Sequence, residues 1–441
     1  MAKPFLSEIE EHLAHQDQTT VQVRESGTAD LPSCFAVTDL AVATMQAAAT
    51  QLAALTGARE IAIDRRLASL WFAMTVRPQG WLMPDLWDPI AGAYETSDGW
   101  IRLHTNAPHH REAALRVLKC AADKQAVQKA VSAWRKTELE DAIIAENGAA
   151  AAMNSMADWA ASAQGQAVAK DPLIAWHQTA ECKSNLALQG LKVIDLTRVL
   201  AGPVATRFLA GYGASVLRID PPWWNEPAVE PEVTLGKRRA GLDLTLSEHR
   251  QIFDGLLADA DVLVHGYRPG ALGGLGYDPE RLRAISPNII DVSLCAYGWH
   301  GPWAGRRGFD SLVQMSCGIA HEGMVRKEAP HPVPLPVQAL DHATGYLMAA
   351  AILHAVRVRN ETGTILSARL SLAGTAALLM SSGARDFTGR DIVETPEDRS
   401  EANEMTCWGP ARRLRFPILM DGVAPKWPHP AGKLRIDPPS W

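Results

Sequence analysis

Cysteine is sparse and scattered in this chain. Its 441 residues include six, Cys34, Cys120, Cys182, Cys295, Cys317 and Cys407, with no CxxC pair among them. That spacing excludes a zinc ribbon, a thioredoxin-type centre and a compact disulfide framework, and it suits reduced thiols. No apolar run approaches the roughly 20 residues that span a bilayer, so no membrane contact is expected. The opening stretch MAKPFLSEIEEHLAHQDQ is too acidic and polar for a secretory signal, which makes a cytoplasmic protein the expectation. Positive charge is also short: 43 Lys and Arg stand against 49 Asp and Glu, a net charge of −6. A surface that binds phosphate backbones needs the opposite balance, so nucleic acid is not an expected partner. There is no GxxxxGK[ST], no HExxH, no GxSxG and no complete GxGxxG, and GYGAS at Gly211 is only a fragment of the last. The 14 histidines show no metal-ligand spacing; no metal is expected, and pairs such as His109-His110 read as surface residues. Tyrosine and phenylalanine are few, 6 and 8, while the 14 tryptophans often adjoin Pro or Gly and read as loop anchors.

What is present describes a globular α/β chain. With 47% hydrophobic and 21% charged residues, and roughly 100–200 residues per domain, two to four structural units are expected. The stretch from Asp39 to Leu55 is rich in Ala, Leu and Met and reads as a helix closed by Thr56-Gly57, followed by a strand over residues 60–64. AYETSDGWIRLHTN reads as a hairpin turning at Asp98-Gly99 and leading into helices up to about Val168. The polar stretch ECKSN suggests a boundary near residue 185. Beyond it LKVIDLT and SVLRIDPP flank a helix as a β-α-β unit. GLDLTL, a helix from Ser247, DVLVHGY, a helix after Asp278-Pro279, and NIIDVSL continue the alternation. The fold class expected is α/β, a doubly wound parallel sheet with a second, smaller α/β domain.

The order of features also repeats. Asp39 is followed by an Ala-rich helix, Thr56-Gly57 and the strand-like IAIDRRL; Asp341 is followed by an Ala-rich helix, Thr362-Gly363 and ILSARL.

Five separated segments then form a familiar series. LKVIDLTRVLAGPVATRFLAGYGASVLRIDPP, GKRRAGLDL, ADVLVHGYRPGALGGLGYDPERLRAISPNIIDVSLCAYGWHGPWAGRRGFDSLVQMSCG and ALDHATGYLMAAAILHAVRVRNETG, with the closing GPARRLRFPILMDGVAPKWPHPAGKLRIDPPSW, together resemble the family III CoA-transferases. That family includes formyl-CoA transferase, the carnitine and bile-acid CoA-transferases and α-methylacyl-CoA racemase. The resemblance implies coenzyme A as substrate and carrier, acyl-CoA and carboxylate small molecules as partners, no metal, and a homodimer of interlinked, ring-like chains. It implies an aspartate nucleophile at Asp341. It places CoA contacts at Leu200 and Ala201; at the strand Leu242, Asp243, Leu244 and Thr245; at Gly266, Tyr267, Arg268 and Gly274; and at Arg307, Gly308, Phe309 and Asp310.

Residue chemistry agrees at these places. An aspartate with an ordinary value near 3.9 is ionised at neutral pH and can attack a thioester without a base. The backbone around Ala339 to Gly345, at a helix start, suits a developing oxyanion; an aspartate there also serves as a plain cap. Lys237 and Arg238, with Arg239, form a basic cluster suited to CoA phosphates or simply to solvent. Departures are clear too. The histidine of the racemase branch is matched by Phe309, the asparagine of the N-x-R-P-G turn is Gly266, and no counterpart of the glycine-rich lid is found. The small domain precedes the CoA-binding half instead of following it. The expected division is therefore 1–84, an N-terminal helical segment and degenerate half-repeat with Asp39 as a relic; 85–184, the small α/β domain; 185–380, the CoA-binding domain with the catalytic aspartate; and 381–441, a tail. The function expected is CoA transfer through aspartyl anhydride and aspartyl-CoA intermediates. The alternatives are a CoA-ester isomerase or racemase, or a non-catalytic CoA-ester binding protein.

Overall fold

The computed structural model describes residues 3–13 and 21–441; the reading of the opening stretch rests in part on residues 1, 2 and 14–18, which lie outside the described residues. Alternating short runs of Val, Ile and Leu build a seven-stranded sheet in the order Arg238–Gly241, Ser215–Asp220, Lys192–Leu196, Val262–His265, Ile290–Cys295, Thr364–Ser371, Ala175–Glu181. The first six strands are parallel and the last is antiparallel. Two sequence expectations change here. Leu242–Thr245 is not a strand: the edge strand ends at Gly241, and Asp243 folds the chain into a turn by accepting the Thr245 N–H at 2.9 Å. The approach to residue 185 is no simple linker, because Ala175–Glu181 is the antiparallel edge of the main sheet.

Beneath the sheet runs the helix Ala339–Thr362, buried continuously from Ala339 to Arg359. Its alanines and aliphatic residues suit the interior and not the surface, with Asp341, His342, His354, Arg357 and Arg359 as buried polar exceptions. Gly345 sets its depth: a Cβ there would lie 2.4 Å from the Ala201 carbonyl oxygen, so glycine is what lets the helix Ala201–Gly211 lie against it.

A second helix, Val37–Thr56, packs along this one, and the two share local structure in detail. Each follows a residue of the same irregular backbone, Ala36 at φ −78° and ψ 60°, Gln338 at φ −73° and ψ 64°. Each closes a three-residue turn, with Val37 N–H donating to Phe35 O at 2.9 Å and Ala339 N–H to Val337 O at 2.8 Å. Asp39 and Asp341 stand two residues after those turns. Each helix ends on a left-handed glycine, Gly57 at φ 77° and Gly363 at φ 86°. The strands that follow end in a cap for the next helix, Asp64 accepting the Leu67 N–H and Ser371 the Gly374 N–H.

Even the strand neighbours match. Glu60–Asp64 has Gln22–Ser26 parallel on one side and Ile418–Met420 antiparallel on the other; Thr364–Ser371 has Ile290–Cys295 and Ala175–Glu181 in those places. The antiparallel strands are exchanged: the chain leaving the first copy completes the second copy's sheet, and the chain leaving the second completes the first's. Between them a small antiparallel sheet, Gly92–Thr96, Gly99–Leu103 and Ala150–Ala152, carries three helices on its own core of Tyr94, Ile101, Leu103, Val127, Leu139 and Ile143. Among the described residues no helix is long and apolar enough to cross a membrane.

Candidate functional site

Parallel strands deliver their following loops to one edge of the sheet, and ligands of such sheets bind where the strand order reverses. Here the reversal falls between Lys192–Leu196, whose chain continues outward through Ser215–Asp220, and Val262–His265, which starts the other side. The two loops at that point carry Arg198 on one side and Tyr267 and Arg268 on the other. Arg198 donates to the Tyr267 hydroxyl across the gap at 3.4 Å and lies over the Trp224 ring at 4.7 Å. Arg268 is fixed by the Gly305 carbonyl at 2.8 Å, and Arg307 by Asn147 at 3.2 Å. These arginines act as a group. Burial together with the charge of Arg268 lowers the Arg307 value. Burial together with Arg307 and Arg198 lowers exposed His109, and burial with His109, Arg307 and Arg268 pushes buried His110 down to about 3. Such a concentration of positive charge suits an anionic group. The helix Pro108–Leu118 starts beside it.

Next to these arginines lies a chamber of about 360 Å3 between the small sheet's loops and the CoA-type half, with Asp341 and Asp310 on its wall together with Phe309, His104, Ser311 and Leu200. Asp341 is 7% exposed and Asp310 2%. Asp310 accepts the backbone N–H of Leu340 at 2.8 Å and of Asp341 at 3.1 Å, and the side-chain amide of Gln314. Burial raises Asp310 to about 6 despite these donors. Asp341 is raised well above the usual carboxylate range, first by burial and then by the charge of Asp310. The physical result is one negative charge shared by the pair. The backbone and amide donors favour that charge on Asp310 over Asp341.

Two expectations need correction. The nucleophile candidate is not an ordinary ionised aspartate, because its site is dry and has a carboxylate neighbour. Nor is the helix start a free oxyanion site: the Ala339 N–H is taken by Val337, those of Leu340 and Asp341 by Asp310, and that of His342 by Gln338. Among the described residues, the chamber wall carries two buried side-chain polar atoms without a partner, the Ser311 hydroxyl oxygen and His104 Nδ1.

The expected CoA residues separate into three sets. Leu200, Phe309 and Asp310 line the chamber with Asp341, and Ala201 opens the helix behind it. Gly266, Tyr267, Arg268, Gly274, Arg307 and Gly308 belong to the loops at the reversal point and beside it; Gly308 is required there, since a Cβ would meet the Ala296 Cβ at 2.5 Å. The third set faces elsewhere. Lys237 is wholly buried and ion-paired to Asp195 at 2.9 Å, with Pro203 O at 3.0 Å, and burial lowers it to about 8. Arg238 reaches Ser440 at 3.3 Å, and Arg239 is held by Asp437. Leu242 and Leu244 are core residues, and Asp243 and Thr245 form the turn described above. The basic cluster Lys237–Arg239 therefore gives way to Arg198, Arg268 and Arg307. Adjacency in sequence suggested the first, whereas the second is assembled from three loops. The histidines are corrected as well: His104, His110, His265, His342 and His354 are buried. His104 stacks on Phe309 at 3.7 Å and is pushed down to about 3 by burial, with His110 and Arg102 adding to the shift. Among the described residues no group of three or more His, Cys, Asp or Glu is placed to hold a metal ion.

Comparison with known proteins supplies the remaining findings. The profile of CoA-transferase family III matches residues 188–407. The chain is 32% identical over 305 residues to the acetyl-coenzyme A transferase nodX of Hypoxylon pulicicidum, covering 62% of this chain and 51% of that protein. It is 33% identical over 196 residues to the succinyl-CoA:glutarate CoA-transferase of Mus musculus, covering 42% of this chain and 44% of that one. A solved structure of the Mycobacterium tuberculosis protein Rv3272 aligns with a TM-score of 0.40 at 29% identity, over 46% of this chain and 58% of that chain. The chain spans about half the length of the curated relatives it matches.

Proposed function

We propose that the chain, whose residues 188–407 match the profile of CoA-transferase family III, moves coenzyme A from an acyl-CoA to a carboxylic acid through a covalent relay on Asp341. The observation that carries this reading is the placement of Asp341 on the wall of a half-open chamber beside three converging arginines. The phosphates of CoA would lie on Arg198, Arg268 and Arg307, and the thioester would enter the chamber.

The relay balances as follows. The Asp341 carboxylate attacks the thioester carbonyl, the carbon–sulfur bond breaks with its electron pair on sulfur, and a mixed anhydride and a CoA thiolate result. The thiolate attacks the aspartyl carbonyl, which releases the donor carboxylate and leaves an aspartyl-CoA thioester. The acceptor carboxylate attacks this thioester to form a second anhydride, and the returning thiolate takes the acceptor acyl group and restores Asp341. Asp341 must first lose its proton, and Asp310 sets the pH at which it does. Ser311 is placed to donate to the carbonyl oxygen as it gains charge. The apolar part of the wall, Leu200, Phe309, Trp87 and Trp224, limits the access of water to the anhydride. A homodimer and cytoplasmic location are part of the same proposal.

Racemisation has little support, because Phe309 cannot exchange a proton and His104 beside it is held neutral and weakly basic. The test is Asp341→Ala, expected to lower exchange by at least about 10^3-fold. With wild type and an acyl-CoA, hydroxylamine or borohydride trapping followed by mass spectrometry should mark Asp341. Undiminished exchange in the variant would refute the assignment, and trapping at no residue would favour the binding-protein alternative.

A further inference from the structure

The chamber that holds Asp341 is a place for charge to be rejected. Its acidic lining residues are Asp85, Asp88, Glu226, Asp310 and Asp341, and no lysine or arginine is among its lining residues. The nearest cations are engaged elsewhere. Arg111 pairs with Asp88 at 3.5 Å, and Arg218 is bound by Asp220 and Glu226. Arg102 lies over the Trp87 ring at 4.8 Å and Arg198 over Trp224 at 4.7 Å. His104 is neutral for the reason already given. A second carboxylate on the acceptor would therefore lie beside the negative charge of Asp310 with no cation to pair with, and with only neutral donors such as the Ser311 hydroxyl to offset its lost hydration. A cation finds the two indole rings already covered by arginines and Asp88 and Glu226 already paired, which leaves it Asp85 at the rim and the buried Asp310 and Asp341. What remains is the apolar surface of Trp87, Trp224, Phe309, Leu86, Leu200 and Val199, around a volume of 360 Å3, about twelve water volumes at ~30 Å3 each.

Resting on the transferase reading above, we infer that the acyl chamber selects monocarboxylic acids of medium size with an uncharged, apolar body, branched or aromatic, and excludes dicarboxylates. The experiment measures kcat/KM of the full chain for CoA transfer from butyryl-CoA to three kinds of acceptor: 3-methylbutyrate and phenylacetate, succinate and glutarate, and trimethylaminobutyrate. The apolar acids should exceed both charged kinds by at least about 100-fold. Leu86→Arg places a cation on the wall at a position 38% exposed, where it should not disturb folding. It should raise kcat/KM for succinate and glutarate and lower it for the apolar acids that Leu86 contacts, narrowing the advantage at least about tenfold. Equal use of dicarboxylates by wild type, a preference for the quaternary ammonium acid, or an unchanged ratio in Leu86→Arg would overturn the inference. Trapping at Asp341 is measured in parallel: a trapped adduct with the wrong acceptor preference defeats the specificity alone, whereas no adduct and no exchange with any acceptor defeats the transferase reading.

Discussion

Asp39 and Asp341 occupy the same place in two copies of one local structure, yet their surroundings are opposite. Asp39 is 5% exposed and meets the Arg65 guanidinium at 2.7 Å, a residue also held by Ala29 O at 2.9 Å. Arg65 follows the capping Asp64; the residue that follows the matching cap, Ser371, is Leu372, buried and apolar. One change of side chain at that junction replaces a cation with a hydrocarbon. Asp341 is left with Asp310 as its charged neighbour and with a chamber in front of it. A buried carboxylate held by a guanidinium is a structural pair, whereas one held beside another carboxylate is a poised reactant. Under the proposed function, a repeated local structure keeps its shape at both places and carries chemistry at Asp341 alone.

The largest effect that would sharpen this contrast, after loss of Asp341 itself, lies at Asp310. Because burial and Asp310 raise Asp341, the kcat/KM profile should fall on acidification through a pKa above the ordinary aspartate range. Asp310→Asn keeps an oxygen to accept the Leu340 and Asp341 N–H groups but removes the like charge. The acid limb should move to lower pH, with the plateau reduced by about tenfold or less because the turn is held less firmly. An acid limb that stays in place would show that burial alone, without Asp310, sets the reactivity of Asp341.

A smaller effect is expected at the arginines. Arg268→Ala removes one of the three cations at the strand reversal, while the chamber is left intact. KM for the acyl-CoA should rise about tenfold and kcat should change little, in line with one lost charge-assisted contact. The same substitution at Arg238 should change neither, since that side chain lies by Ser440. If Arg238→Ala raised KM and Arg268→Ala did not, the placement of CoA would have to move to the other edge of the sheet.

These cases also show what could be read in the residues and what could not. The strands Glu60–Asp64, Lys192–Leu196, Ser215–Asp220 and Val262–His265 were legible because each is a short run of β-branched and aliphatic residues between turn signals. The repeat was legible from the spacing of Asp, helix, Thr-Gly and strand. The exchanged antiparallel strands were not, because Ala175–Glu181 is half exposed and polar, and its partner lies nearly two hundred residues away. Lys237 looked like a ligand residue because three basic residues adjoin; its burial on Asp195 depends on a strand 42 residues earlier. His104 carried no signal beyond being a lone histidine at the end of a strand. Its place against Phe309 arises only when the small sheet closes over the chamber. Local periodicity recorded the elements, and tertiary assembly decided which polar side chains became a site.

The smallest expected effect tests the comparison most directly, because its two arms differ in sign. In Asp341→Asn, a buried carboxylate whose folded-state pKa is raised is replaced by a neutral amide. A raised carboxylate value means that the folded protein is stabilised as pH falls through it, and that ionisation at neutral pH opposes folding. Removing the charge should therefore raise the melting temperature at pH 7.5, with the gain shrinking as the pH is lowered. In Asp39→Asn the carboxylate lost is the partner of Arg65, and a guanidinium is left with Glu25 at 3.3 Å and a carbonyl. Stability should drop by about 2 kcal/mol, the usual scale for breaking a buried charged contact, while exchange per folded molecule stays at the wild-type rate. Thermal melts of both variants, with exchange assayed well below the transition, measure the two arms together. Shifts of the same sign would mean that the two aspartates play one structural role, and the division of labour between the copies would have to be sought away from Arg65 and Leu372.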